Sequence, residues 1–313
     1  MNKKRIVIAL GGNAMLKRGE VLSAANQQRN INKAAELIKQ LDQDYDVTIV
    51  HGNGPQVGLL ALQNSAYSEV PAYPLDNLVA QTQGMLGYML VQALTEQGMN
   101  EVSCLLTRVE VSASDPAFAL PTKYIGPVYS PQDKAELEAQ YGWQMKPDGQ
   151  YIRRVVASPK PVQVLEASTI VSLLDQGKTV VCCGGGGMPV VQQQVGYKGV
   201  EAVIDKDSVA AMLAEQIGAD YLMILTDADA VYQDWGTPNQ RALRDVTVSQ
   251  MRPFAAPDGA MGPKAEAVIQ FVERTGQIAF IGALQDVEQI LVGEKGTCVR
   301  PACTVVPDAS LVV

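Results

Sequence analysis

The sequence predicts an α/β protein of three layers, in which helices cover both faces of a mostly parallel β-sheet. Two observations support this fold class. Short apolar runs alternate with segments of helical periodicity along most of the 313 residues, and repeated strand–helix units of this kind build parallel sheets buried on both faces. Several of these runs also stop at glycines, and in such folds ligands bind beyond the carboxyl ends of the strands.

The elements follow in order along the chain. The apolar run over 6–10 ends at Gly11 and predicts a buried strand, while 26–41 predicts a helix because residues such as Ile31 and Ile38 recur at helical spacing. The other predicted strands cover 47–50, 102–107, 179–183, 221–225 and 278–281. The other predicted helices cover 56–67, 75–96, 165–176, 207–217 and 264–274.

Residues 111–158 interrupt this alternation. The segment is rich in proline, tyrosine and aspartate, and it predicts an insertion or small subdomain between regular strand–helix units. Residues 301–313 have no regular pattern and predict a frayed tail. A chain of this length suggests two domains or one large α/β domain.

The chain is acidic, with a net charge of −8 and a pI of about 4.8. An acidic field repels phosphate backbones, so we expect no nucleic-acid partner. The five cysteines form no C-x-x-C motif, which indicates a reducing compartment. The apolar stretch after the basic start is too short for a signal peptide, and no stretch has transmembrane length. We therefore expect a cytoplasmic protein without a membrane partner.

Three predicted strands end in glycine-rich loops, at 11–13, 52–54 and 184–187. Glycine lets backbone N–H groups approach a phosphate closely, although each loop alone is as well explained by a tight turn. The three loops together favour an anion or phosphoryl site. Asn13 and Asn53 would add amide donors, but each is also a common turn former.

Two lysines stand at predicted helix starts, where a positive charge opposes the helix dipole. Lys206 lies between Asp205 and Asp207, and Lys264 follows a Met-Gly-Pro run. Such a departure from local preference indicates function, although either aspartate also suits an N-cap. Lys123, in the predicted insertion, is a third candidate. A surface lysine is the default alternative for each of the three.

The chain has one histidine, His51, which disfavours a catalytic triad or a histidine-rich metal site. Phosphoryl transfer to an anionic acceptor fits better, because it needs positioning and positive charge rather than proton transfer. The segment 225–232 predicts a strand, an acidic turn and a second apolar element. The turn suits a nucleotide or its metal, but the segment is equally typical of a hairpin.

In their order, these motifs resemble the carbamate kinases, within the wider amino-acid kinase family. The similarity extends from Lys4 to about Val299. The motifs that carry it lie at 9–14 (ALGGNA), 51–58 (HGNGPQVG), 83–88 (QGMLGY), 121–123 (PTK), 125–127 (IGP), 158–161 (SPKP), 184–187 (GGGG), 203–207 (VIDKD) and 261–264 (MGPK). Any one of them is a weak signal, but the ordered set is highly specific.

This resemblance implies an amino-acid kinase-like αβα sandwich with a mostly parallel central sheet and a small protruding subdomain. It implies a lobe for the phosphoryl acceptor at 1–205, with the subdomain inserted at 112–158. A nucleotide-binding lobe would follow at 206–300, with a tail at 301–313. It also implies a homodimer.

The implied reaction is reversible phosphoryl transfer from ATP to carbamate, which gives ADP and carbamoyl phosphate, with Mg²⁺ carried by the nucleotide rather than by a protein metal site. Lys123, Lys206 and Lys264 would neutralise the transferring group, and Asp207 would orient the lysines. The residues implied to bind carbamate and the phosphoryl group are Gly11, Gly12, Asn13, Gly52, Asn53 and Gly54. The residues implied to bind the nucleotide are Gly184, Gly185, Gly186, Thr226, Asp227, Tyr232 and Met261.

Two alternatives remain at this level. The first is a related kinase for another carboxylate, such as an acylated amino acid; relatives of that kind carry a lysine where this chain has Asn13. The second is a regulator that binds nucleotide or carbamoyl phosphate without turnover. The presence of Lys206, Asp207 and Lys264 argues against the second.

Overall fold

The computed structural model describes residues 3–17, 19–67, 69–256 and 260–302, without the side chain of Asn13. In this part of the chain the strands are β1 (Lys4–Leu10), β2 (Tyr45–His51), β3 (Val102–Cys104), β4 (Arg108–Val111), β5 (Lys123–Tyr129), β6 (Gln144–Asp148), β7 (Tyr151–Val156), β8 (Pro161–Val164), β9 (Thr179–Val181), β10 (Met188–Gln192), β11 (Tyr197–Gly199), β12 (Tyr221–Thr226), β13 (Val231–Gln233), β14 (Arg241–Leu243), β15 (Asp245–Thr247), β16 (Ile278–Ala283) and β17 (Thr297–Arg300). The α-helices are α1 (Ala24–Lys39), α2 (Gly54–Ala66), α3 (Leu75–Glu96), α4 (Lys134–Tyr141), α5 (Ala167–Leu174), α6 (Lys206–Gln216), α7 (Val248–Met251), α8 (Gly262–Thr275) and α9 (Val287–Leu291).

One eight-stranded sheet organises the fold, in the order β15-β17-β16-β12-β1-β2-β9-β3. Its neighbouring strands run parallel except for the antiparallel pair β16 and β17. The predicted mostly parallel sheet is therefore confirmed. No described helix combines the length and apolarity needed to cross a bilayer. Most of the predicted tail, residues 303–313, lies outside the described residues.

Helices cover both faces of this sheet because its central strands are apolar on both sides. In β1, Val7 and Ala9 pack in one core with α6 and α8. Ile6, Ile8 and Leu10 pack in the opposite core with α1 and α3. All five side chains are fully buried. A continuous apolar run thus specifies a strand between two helical layers, and the predicted three-layer fold is confirmed.

The register of the central strands brings three loops to one edge of the sheet. Leu10 of β1 pairs with His51 of β2 on one side and with Leu225 of β12 on the other. The loops that follow β1, β2 and β12 therefore leave the sheet side by side. This edge, at the carboxyl ends of the strands, is where ligands bind in such folds.

The predicted insertion at 111–158 contains a three-stranded antiparallel sheet, in the order β5-β7-β6. This subdomain packs on α2 through two glycines: a Cβ added to Gly58 would lie 2.0 Å from the Cα of Gly126. The two backbones therefore touch, and no larger residue fits at position 58. The predicted lobe boundary at 205/206 stays a prediction, since the large sheet runs through both parts.

The strand predicted for 102–107 is too long, because it ends at Cys104. The chain then leaves the large sheet and forms β4 in a second sheet, of order β11-β10-β4-β8. Thr107 lies at the crossing, where its N–H donates to Gln83 Oε1 at 2.9 Å and its hydroxyl accepts from the N–H of Cys183 at 2.6 Å. These side-chain hydrogen bonds replace the strand ladder, which apolar composition alone does not reveal.

Candidate active site

The loop after β1 is held against the end of β12. The N–H of Gly11 donates to the carbonyl of Leu225 at 2.8 Å, and a Cβ at Gly11 would lie 2.7 Å from that oxygen. A larger residue would therefore separate the loop from β12. Gly12 is different, because a Cβ there would meet nothing within 4 Å. Its backbone faces open space that a ligand can enter.

Lys206 and Lys264, near the starts of α6 and α8, converge on one carboxylate. Lys264 Nζ lies 3.2 Å from Asp207 Oδ2, and Lys206 Nζ contacts Asp207 Oδ1. The Asp207 side chain is only 3% exposed. Asp207 lies in the first turn of α6. This helix is capped by Asp205 Oδ1, which accepts hydrogen bonds from the N–H groups of Asp207 and Ser208 at 3.0 and 3.2 Å. The structure thus brings together three of the predicted site residues.

This group carries a net positive charge, because one carboxylate serves two ammonium groups. Burial lowers the pKa of Lys206; Asp207 opposes that shift and repulsion from Lys264 adds to it. Burial also lowers the pKa of Lys264, but the charge and hydrogen bond of Asp207 outweigh it and raise the pKa overall. An anion placed between the two lysines would relieve their repulsion in a site where water screens little.

Lys123 reaches the same place from the subdomain strand β5. Its Nζ lies 2.5 Å from Asp205 Oδ2, and the lysine side chain is 31% exposed. Burial alone would raise the pKa of Asp205, but the charge and hydrogen bond of Lys123, aided by Lys206, hold that pKa well below its usual range. The subdomain lysine is therefore tied to the residue that caps α6.

A cavity of about 200 Å³, here called the acceptor cavity, lies among these groups. The residues that define it include Gly12, Gly52, Gly54, Lys123, Lys206 and Lys264. The stem of Lys206 crosses the loop after β2, since a Cβ at Gly52 would lie 3.5 Å from Lys206 Cδ. Of the other residues predicted to bind the acceptor, Gly11 lines the neighbouring cavity, and the side chain of Asn13 lies outside the described residues.

Asn53 lines the acceptor cavity, and its amide group is partly engaged inside the protein. Its Nδ2 donates to Thr82 Oγ1 at 2.8 Å. One of its two amide N–H groups is therefore already used, and its oxygen has no hydrogen-bond partner among the described residues. The sequence could not reveal this, because the partner lies on a different helix.

Gly184, Gly185 and Gly186 are placed differently from the other residues implied to bind the nucleotide. A Cβ at Gly184 would lie 2.4 Å from His51 Nε2, and a Cβ at Gly185 would lie 2.1 Å from Asn53 Nδ2. A Cβ at Gly186 would instead lie 2.4 Å from the carbonyl oxygen of Ile204. All three glycines are buried, and Gly185 lines the acceptor cavity. Close packing with neighbouring side chains explains them, so the structure does not bring them to the nucleotide residues described below.

His51 supports the loop after β2. It is 1% exposed, and its Nδ1 donates to the carbonyl of Gly52 at 3.0 Å. Burial, together with repulsion from Lys206, lowers its pKa to about 4, so the ring is neutral at pH 7. This agrees with the expectation that the histidine holds the loop rather than transfers protons.

An apolar cleft of about 350 Å³ follows β12 and is lined by four residues predicted to bind nucleotide, Thr226, Asp227, Tyr232 and Met261. A second cavity of about 600 Å³ shares Thr226 and Asp227 with the cleft and extends to Lys206 and Lys264. A molecule with an apolar ring system and a charged tail can therefore lie in the cleft and reach the two lysines.

Sequence reasoning missed two aromatic residues of this cleft, Trp235 and Phe254. The Trp235 ring is 68% exposed and lies 5.1 Å from the Tyr232 ring, centroid to centroid. An exposed tryptophan beside an acidic turn is the signal that could have indicated it. Gln56 also lines the acceptor cavity, and the sequence did not predict it as a site residue.

Within the described ranges, no three His, Cys, Asp or Glu side chains are grouped so that they could hold a metal ion. The aspartates nearest the lysines, Asp205 and Asp207, each hold lysine partners. This donor set fits a cation that arrives bound to phosphates and is held mainly by them.

A pair of largely buried lysines, held by one aspartate between a small cavity and a larger apolar cleft, is the arrangement expected of a phosphotransferase of the kinase class. The model of the amino acid kinase family matches residues 4–282. The chain is 58% identical over 297 residues to a carbamate kinase of Escherichia coli (strain K12), which covers 95% of this chain and 99% of that protein. It is also similar to the structure of a carbamate kinase from Giardia lamblia bound to citric acid, with a TM-score of 0.91 and 35% identity over 96% of this chain and 99% of that chain.

The chain belongs to the amino acid kinase family and, within it, to the carbamate kinases. The resemblance read from the ordered motifs is confirmed. An isopentenyl phosphate kinase of T. acidophilum, with a TM-score of 0.55 and 17% identity, shares the fold alone.

Proposed function

We propose that this protein catalyses reversible phosphoryl transfer between ATP and carbamate. The bond from the terminal phosphorus to the ADP oxygen breaks, and a bond from that phosphorus to a carbamate oxygen forms. The products are ADP and carbamoyl phosphate. Charge is equal on both sides and no proton moves, so the reaction needs no general base, in keeping with a site whose one histidine is neutral and buried.

One observation carries this proposal: two lysines share a single buried aspartate at the meeting point of two glycine loops. In the transition state, negative charge spreads over the transferring phosphoryl oxygens. Lys206 and Lys264 would lie against those oxygens, and Asp207 would keep both ammonium groups in place. Because the donors are already oriented, little reorganisation is needed during the reaction.

The acceptor would lie in the acceptor cavity, with backbone N–H groups of Gly52 and Gly54 and the ammonium of Lys123 around it. The nucleotide base would occupy the apolar cleft of Thr226, Tyr232 and Met261. Mg²⁺ would enter with the nucleotide and neutralise its phosphate charge. In this arrangement the buried glycines 184–186 support the acceptor loop instead of contacting the nucleotide.

The direct test is ATP formation from ADP and carbamoyl phosphate, followed by coupled luminescence. In the forward direction, ADP release should be measured with carbamate, acetate and an N-acylated amino acid. Preference for an acylated amino acid would replace the proposal with the related kinase. Tight ADP binding by calorimetry without any ATP formation would favour the regulator.

We also propose that the protein is a cytoplasmic homodimer. The described cysteines are all unpaired: Cys104, Cys182, Cys183 and Cys298. This is usual in a reducing compartment.

The outer face of α3 exposes Met85 and Tyr88, an apolar surface suited to a second copy of the chain. Light scattering coupled to size exclusion tests this, and a monomer at all concentrations would rule it out.

A further inference from the structure

The orientation of the Asn53 amide is set by a chain of hydrogen bonds that ends at a backbone carbonyl. The Thr82 hydroxyl donates its single proton to the Val79 carbonyl at 2.8 Å. The hydroxyl can therefore only accept from Asn53, whose Nδ2 lies 2.8 Å away. The amide cannot flip without losing this bond, and Asn53 Oδ1 faces away from Thr82.

Gln56 is oriented in the same way by a separate chain. The Nε2 of Gln27 donates to the carbonyl of Ser23 at 3.4 Å, which leaves Gln27 Oε1 as an acceptor. Gln56 Nε2 donates to that oxygen at 2.9 Å. A flipped Gln56 would place two carbonyl oxygens against each other, so its Oε1 is directed away from Gln27.

Both residues that carry these oxygens belong to the wall of the acceptor cavity. Asn53 and Gln56 each line it, although each residue is only 3% exposed. Asn53 occupies the N-cap position of α2, yet its side chain makes no capping hydrogen bond. Neither oxygen has a hydrogen-bond partner among the described residues, and neither is among the fully buried polar atoms left without one.

The other side-chain acceptors in this wall are already occupied. Asp205 holds Lys123 and the backbone of α6, and Asp207 holds Lys206 and Lys264. Around the acceptor cavity, the two amide oxygens are thus the side-chain acceptors in the described residues that remain available to a ligand. A ligand that satisfied both oxygens would carry two N–H or O–H donors.

We propose that Asn53 Oδ1 and Gln56 Oε1 accept the two N–H groups of the amino end of carbamate, and so select carbamate over other small carboxylates. This inference rests on the proposed function. Carbamate carries two N–H donors on one nitrogen, bicarbonate carries one O–H donor, and acetate carries a methyl group. A ligand without donors would leave both oxygens without a hydrogen bond in a wall from which water is excluded. That loss disfavours acetate strongly relative to carbamate.

Two phosphonates that differ only at this end make the test specific. Phosphonoacetamide carries an amino group where 2-oxopropylphosphonate carries a methyl group, and both mimic carbamoyl phosphate. Their dissociation constants should be measured by calorimetry in the presence of ADP, so that the result does not depend on turnover. The wild type should bind phosphonoacetamide about 30-fold more tightly than 2-oxopropylphosphonate, which is the difference expected for two neutral hydrogen bonds.

Three variants locate the preference. Gln56→Leu should reduce it about 5- to 10-fold, because one acceptor is lost. Gln27→Leu and Thr82→Val, which leave both acceptors in place but release their orientation, should each reduce it by about 2- to 5-fold. Gln63→Leu, at an exposed position on the same helix, should leave it unchanged. If Gln56→Leu does not fold, Gln27→Leu decides, because Gln27 does not line the acceptor cavity but contacts Gln56.

Equal affinity of the wild type for both phosphonates would overturn the inference, and so would an unchanged preference in Gln56→Leu or, in its place, Gln27→Leu. The proposed function fails separately, through absence of ATP formation from carbamoyl phosphate. If the wild type makes ATP but binds the two phosphonates equally, only the inference about the amide oxygens is overturned.

Discussion

The proposed acceptor side and the proposed nucleotide side of this site are built differently. On the acceptor side, nearly every polar group has a fixed partner, and the Asp207 side chain between its two lysines is 3% exposed. On the nucleotide side, aromatic and apolar residues line an open cleft, and Trp235 is 68% exposed. The acceptor side holds atoms at set positions, whereas the nucleotide side offers contact area.

This contrast follows from what each side must do. Transfer of a phosphoryl group depends on charges placed to within a fraction of an ångström, so the groups that serve it are held by neighbours. Binding of a nucleotide base depends mainly on buried area and tolerates small displacements. Single substitutions on the acceptor side should therefore affect rate or folding strongly, and those on the nucleotide side should affect affinity modestly.

The largest effect is expected for Lys206→Ala. Loss of one oriented charge should lower kcat by about 10²- to 10³-fold with little change in the KM for ATP. Steady-state kinetics of ATP formation would measure this. Lys198→Ala, at an exposed position on β11, is the matched control and should behave as wild type. A normal kcat in Lys206→Ala would remove this lysine from the mechanism.

The next largest effect is expected for Gly185→Ala, which should lower the stability of the fold rather than act directly on catalysis. The new Cβ would lie 2.1 Å from Asn53 Nδ2, at a backbone φ of +67°. Strain and overpacking together should lower the free energy of unfolding by about 2–4 kcal/mol, measured by urea denaturation. Gly84→Ala, where a Cβ meets nothing within 4 Å, is the control. Equal stability of the two variants would mean that the acceptor loop is not closely packed.

Acid should destabilise the fold through His51. Its pKa is about 4 in the folded protein, against an ordinary value of 6.5, so the unfolded state takes up a proton first as the pH falls. The stabilisation is complete above pH 6.5 and declines toward pH 4, by up to about 3 kcal/mol. Thermal denaturation at several pH values should show this slope. His51→Gln should reduce it, and the same slope in that variant would assign the acid lability to other groups.

Lys123→Ala should have a smaller effect, because this lysine is partly exposed and lies on the subdomain. We expect kcat to fall on the order of 10-fold with a change in stability below about 1 kcal/mol. Kinetics and melting temperature, measured together, separate the two roles. A large drop in melting temperature with kcat retained would instead make the lysine a structural link between subdomain and core.

Trp235→Ala should have the smallest effect and should be confined to the nucleotide. Loss of the exposed ring should raise the KM for ATP by about 3- to 10-fold and leave kcat unchanged. Val195→Ala, at an exposed position on another hairpin, is a suitable control. A lower kcat with an unchanged KM would contradict the division between the two sides.

The fold was predictable because each central strand is apolar on both faces and each covering helix is apolar on one. The helix over 75–96 was predicted with the bounds that the structure shows. The strands that were missed, such as β11 and β14, have three residues each and pair at sheet edges. Such short segments bury too little apolar surface to stand out from loops.

The sequence could predict a candidate site residue where the residue's position in its element has only one physical explanation. A lysine at a helix start opposes the dipole, so Lys206 and Lys264 stood out. Glycine is ambiguous, because it permits the close approach of either a ligand or a side chain. At Gly185 the group that approaches is the Asn53 amide, which no local sequence pattern distinguishes from a phosphate.

The contact between Gly58 and Gly126 is a point about which the subdomain could turn, and even a small angle there would displace Lys123. Lys123 is three residues along β5 from that contact, a lever arm of about 10 Å at the usual rise of a strand. A pivot of about 20° would therefore move its ammonium by about 3–4 Å. That is enough to separate it from Asp205 while the lysines on α6 and α8 stay in place.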